Sequence, residues 1–68
     1  MNTKFNVGDI IKDVMFPSSE TWKVLAIEKV KENPFVVNVW YFLESNRGKK
    51  SNGLQSIIEH PGRFEKVC

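Results

Sequence analysis

The sequence predicts an all-β fold, a small five-stranded antiparallel barrel. Three observations lead there. Val, Ile and Thr supply 15 of the 68 residues, against three Leu and a single alanine, Ala26. Stiff β-branched side chains suit pleated surfaces, whereas Ala and Leu fill helices, which argues against an all-helical bundle. Five short apolar segments are punctuated by Pro, Gly, Asn and Ser clusters, the spacing of small all-β domains. Finally, Leu, Ile, Val and Phe make up 21 residues, well above the roughly 20% below which disorder is expected. A chain this short holds one core, so a single domain over residues 1–68 is expected, with a stability of only a few kcal/mol.

The first strand is expected over residues 5–14, opened by Phe5, Val7, Gly8 and Asp9 and continued by Ile11. Met15, Phe16, Pro17, Ser18, Ser19 and Glu20 break it with turn chemistry. The second strand covers residues 21–31. Its apolar parity switches, with Trp22 and Val24 on one face and Leu25 and Ile27 on the other. A one-residue switch of this kind predicts a bulge, the device by which small barrels turn corners. Glu32, Asn33 and Pro34 make the next turn.

The third strand, residues 35–44, carries the clearest alternation. Phe35, Val37, Val39, Tyr41 and Leu43 share one face, the core side, and Val36, Asn38, Trp40 and Phe42 share the other. Residues 45–53 read as an exposed polar loop, residues 54–59 as a fourth strand, and His60, Pro61 and Gly62 as a turn. Residues 64–67 close the fold as a fifth strand.

Four stretches carry a family resemblance: Phe5-x-Val7-Gly8-Asp9-x-Ile11, Trp22-x-Val24-x-x-Ile27, Leu54-x-x-Ile57 and Phe64-x-x-Val67. Together they resemble the small SH3-like barrels of the KOW/Tudor type found in short bacterial and bacteriophage proteins. The resemblance implies that Val-Gly-Asp opens the first strand and that Glu59-His60-Pro61-Gly62 forms a short 3-10 turn before the last strand. It places Trp22 in the core and specifies a fold more than an activity. The nine-residue loop after Leu43–Glu44 and the run Trp40-Tyr41-Phe42 depart from the minimal pattern.

The chemistry-bearing residues are few. His60 is the one histidine and adjoins a proline in a turn, with no partner to orient it as a base. Cys68 is the one cysteine, so an internal disulfide and a four-ligand N/S zinc site within one chain are excluded. Asp9 and Asp13 stand about 13 Å apart on an extended strand, too far for a carboxylate dyad. The four glycines match neither a dinucleotide fingerprint nor a P-loop. No catalytic residue, cofactor or metal is expected. A single cysteine, an N-terminus without a signal pattern and a longest uncharged run of 11 residues fit a cytoplasmic protein that uses no membrane. For a bacteriophage protein that means the host cytoplasm.

Binding is the expected function. Trp40, Phe42 and Val36 lie on the face of the third strand opposite the core, where large aromatics mark an interaction surface. Phe16 joins them if the loop after the first strand lines the same face, as the resemblance implies; otherwise it pins its own turn. The leading expectation is therefore a non-enzymatic protein-binding module that masks or redirects a larger protein, a host component if the chain is a phage modulator. One alternative is nucleic-acid binding, with Arg47, Lys49 and Lys50 on phosphates and Trp40 or Tyr41 stacking on bases. The net charge of +2 gives that reading little long-range attraction. Another alternative is a structural or accessory subunit that self-associates as a homodimer through the aromatic face.

Overall fold

A computed structural model of the chain describes residues 3–15 and 19–67. They form one antiparallel five-stranded sheet with a single helical turn: β1 (Ile10–Asp13), β2 (Thr21–Asn33), β3 (Val36–Ser45), β4 (Lys50–Leu54), α1 (Gln55–Ile58) and β5 (Phe64–Lys66). The strand order is β4-β3-β2-β1-β5. The two end strands do not pair with each other, so the sheet is open, and the closed barrel expected from the sequence is not formed.

Each turn has a local cause. Before β1, Asp9 folds its carboxylate back onto the backbone N–H of Asn6 at 2.9 Å, while Gly8 takes a φ of +96°. That left-handed conformation is strained for any residue with a Cβ. Between β2 and β3 the Asn33 side chain accepts from the Phe35 N–H at 2.8 Å, an Asx turn with Pro34 inside it. After β3 the buried Ser45 hydroxyl accepts from the backbone N–H groups of Arg47 and Lys49, both at 3.1 Å.

The bulge falls where the parity switches. The β2–β3 register slips between Val24 and Ala26, leaving Leu25 as the extra residue. The slip returns Ile27 to the face of Trp22 and Val24, opposite Tyr41, so the apparent switch keeps one continuous apolar side. That side is the core: Phe5, Ile11, Val24, Tyr41, Leu43, Ile58 and Phe64 are buried together, with Trp22 and Ile27 packed against them.

Several boundaries differ from the sequence reading: β1 starts at Ile10 and not at Phe5, and β2 runs on to Asn33. Residues 50–53, read as loop, belong to β4, because the exposed edge of β3 supplies a ladder from Glu44↔Lys50 to Trp40↔Leu54. Residues 55–58, read as strand, form α1 instead, which drives Ile58 into the core and leaves Ile57 half exposed. The 3-10 turn expected at Glu59-His60-Pro61-Gly62 is thus not formed; those residues make a plain turn, and the helical turn before β5 is α1. Phe35 and Val37, read as core, are 94% and 48% exposed, because β2 and β3 extend beyond every other element.

That extension shapes the molecule, which measures 41 × 24 × 18 Å. β1 pairs with β2 only over residues 21–23, and β4 pairs with β3 only over residues 40–44. The distal parts of β2 and β3 thus form a two-stranded arm.

Candidate interaction surface

Directly opposed residues in an antiparallel ladder point to the same side of the sheet, so the registers assign each face. On the side away from the core, successive rows read Lys23–Glu44–Lys50, Ala26–Phe42–Asn52, Glu28–Trp40–Leu54 and Val30–Asn38. Val36 follows at the distal end of β3. Trp40 and Phe42 are half-buried by their sheet neighbours, and Val36 is 43% exposed. A depression of about 250 Å³ adjoins Phe42, lined by Lys50, Ser51 and Asn52.

Of the segments near this outer face, the N-terminal arm and α1 lie on the core side, while residues 16–18 of the loop after β1 lie outside the described residues. The N-terminal arm places Phe5 edge-on to Tyr41, with ring centroids 6.2 Å apart. Helix α1 sends Ile58 into the same core. Among the described residues no helix or strand lies over Trp40 and Phe42. Phe16, the fourth residue assigned to this surface, lies outside the described residues.

Tyr41 does not belong to any binding surface. Its ring is fully buried, and its hydroxyl donates to the Glu59 carboxylate while accepting from the Phe5 N–H at 3.3 Å. Stacking on a base would require pulling that ring out of the core, so the expectation that Tyr41 stacks on nucleic acid is corrected. The strand alternation that groups Tyr41 with Val39 and Leu43 is the better guide to its role.

The basic residues of the β3–β4 turn are placed together but are partnered. Lys50 pairs with Glu44 at 3.0 Å and Lys49 with Glu20 at 3.7 Å, while Arg47 donates to the Ser19 hydroxyl at 2.8 Å. Exposed pairs of this kind are weak, yet each carboxylate offsets the positive field a phosphate would meet. His60 is exposed in its turn, its Nδ1 2.9 Å from the Pro61 carbonyl. With Met15, Ser56, Ile57 and Arg63 it lines a second depression of about 220 Å³ on the α1 side. Cys68 lies outside the described residues.

Sequence reasoning missed Glu59. Its Oε2 accepts from Tyr41, from the Lys4 N–H at 3.0 Å and from Gln55 Nε2 at 3.1 Å. Burial alone would raise this carboxyl, but the donors outweigh it and hold Glu59 below the usual carboxylate range. Burial, reinforced by the bond to Glu59, pushes the Tyr41 hydroxyl up to about 12. Glu59 therefore latches the N-terminal arm and α1 onto the core. No local sequence signal marks it, since its partners come from three separate segments.

No helix among the described residues is long and apolar enough to cross a membrane. The chain matches no family model, no curated protein and no solved structure.

Proposed function

We propose that the chain is a protein-binding module of the SH3-like, KOW/Tudor type that docks its outer sheet face onto a larger protein and performs no chemistry of its own. The observation that carries this reading is the half-buried row of Trp40 and Phe42, continued by Val36, on the side of the sheet away from the core, over which no helix or strand among the described residues lies. Large aromatics left on one face of a small domain are the usual material of an interface centre. The SH3-like assignment draws support from β5 lying beside β1, from the helical turn preceding β5 and from Val7-Gly8-Asp9 leading into β1. By analogy of size and fold with short bacteriophage proteins, the module masks or redirects a component of a host cytoplasm.

Nucleic-acid binding has weaker support, since Lys49 and Lys50 are paired and, with Tyr41 buried, Trp40 alone is left to stack on bases. The test is capture from nuclease-treated bacterial lysate by the wild type and by Trp40→Ala, with thermal melts of both. The reading expects a protein retained by the wild type and lost by the variant at a nearly unchanged melting midpoint. Retention by Trp40→Ala, or a captured set that disappears with nuclease, overturns it.

A further inference from the structure

We propose that, while no larger protein is bound, the outer face is covered by a second copy of this chain, packed sheet against sheet about a two-fold axis that crosses the strands at the Phe42 row. This inference rests on the outer face being the binding surface. It goes further by naming what covers that face when the larger protein is absent, and in which register.

The argument is the distribution of charge along the rows. The proximal row carries Lys23 and Lys50 on either side of Glu44, and the row two residues beyond Phe42 carries Glu28 as its one charge. Lys23 and Glu28 are both exposed, and neither has an ion-pair partner among the described residues. Between them lies the uncharged row Ala26–Phe42–Asn52. A two-fold through that row exchanges the proximal row with the Trp40 row. Lys23 then faces the partner's Glu28, and symmetry supplies the same contact a second time. Phe42 meets its own counterpart at the centre, Trp40 faces the partner's Glu44, and Leu54 covers the alkyl stem of the partner's Lys50.

Other registers fail on the same charges. An axis through the Trp40 row sets Glu28 against its own copy. An axis through the proximal row sets Lys23 against its own copy. An axis along β3 brings Lys23 onto the partner's Lys50. Of these four axes only the Phe42 register pairs opposite signs.

The patch spans three strands and about four rows, roughly 14 by 27 Å from strand and residue spacings. That is small for a specific interface, so the dimer should dissociate in the micromolar range and exchange readily.

The test is sedimentation equilibrium of the full chain over about 1 µM to 1 mM at low and high salt, where a self-associating ion pair weakens as salt rises. Lys23→Glu and Glu28→Lys each turn two attractive contacts into repulsive ones and should weaken the dimer about tenfold. The combined Lys23→Glu/Glu28→Lys variant should restore it. Both positions are exposed, so thermal melts should show all three variants folded. A strict monomer at every concentration overturns the inference, as does a dimer that ignores both charge reversals or that the double variant fails to restore. Failure of the underlying reading looks different. If the monomeric chain still loses a captured protein on Trp40→Ala, the outer face stands and the second copy falls. If a dimer forms and Trp40→Ala leaves it unchanged, the outer face itself falls.

Discussion

The body and the arm of this chain obey different rules although the same two strands run through both. In the body, β2 and β3 are flanked by β1 and β4, and α1 and Phe5 close over Val24, Tyr41 and Leu43. In the arm, the same strands continue through Val30 and Val37 with no flanking strand, and both side chains are at least 40% exposed. A two-stranded ribbon is marginal in water. The arm keeps its shape because the body fixes the register at its base, so stability should flow from body to arm and not back.

The largest expected effect breaks the body. Ile11 is fully buried in the core cluster, and Ile11→Ala removes apolar contact and leaves a cavity, costing about 2–5 kcal/mol. In so small a domain that is enough to unfold a large fraction of molecules, which urea titration by tryptophan fluorescence will show. Gly53→Ala should cost less, about 1–3 kcal/mol. A Cβ there would sit 2.9 Å from Ile58 Cδ1, so the Ile58 side chain must leave its buried position in the core or α1 must shift with it. A denaturation midpoint unchanged by this variant would mean that α1 shifts freely and contributes little to the body.

The latch is a subtler test of the same body, because it makes stability depend on pH at both ends. Glu59 titrates lower in the folded chain than its unfolded value of 4.5. Its contribution is therefore complete above about that pH and disappears as the pH falls through the folded value. Tyr41 is shifted the other way, from 10.0 to about 12. Its contribution is complete below pH 10 and is lost as the pH rises toward 12. Glu59→Gln should thus be less stable than the wild type at neutral pH, with the gap closing in acid, and Tyr41→Phe should flatten the alkaline limb. Urea midpoints measured from acid to alkali decide both; a gap that does not narrow in acid would show that the Glu59 charge is not what holds the arm of Phe5 in place.

How far each region can be read from sequence follows the same division. The alternation of β3 assigns Val39, Tyr41 and Leu43 to the core and Trp40 and Phe42 to the opposite face, because period-2 burial is a local property of a strand. The bulge at Leu25 is equally local, since the apolar parity slips by one residue there. β4 is not visible in Lys50-Ser51-Asn52-Gly53, which has no strand-forming side chain; it exists because β3 offers an edge. The Glu59 latch depends on tertiary placement alone. The sequence pattern runs past the end of the core at Phe35, because alternation reports which way side chains point and carries no information on whether anything stands opposite. Strand lengths hold the missing signal: a second and third strand of about ten residues cannot be covered by a final strand of four.

Phe35 gives the smallest expected effect and the sharpest test of the contrast. It is a large aromatic residue, and in the body its removal would cost about 3–5 kcal/mol. At the tip of the arm it is 94% exposed, so Phe35→Ala deletes almost no buried contact. The backbone N–H that ties the turn to Asn33 is retained. The expected change in unfolding free energy is within about 0.5 kcal/mol, measured beside Ile11→Ala under identical conditions. A loss above about 1 kcal/mol would mean that the arm packs on something in solution, and repeating the titration at several protein concentrations would show whether that something is another copy. A null effect at all concentrations confines the folding energy to the body and leaves the apolar tip free for a contact outside the fold.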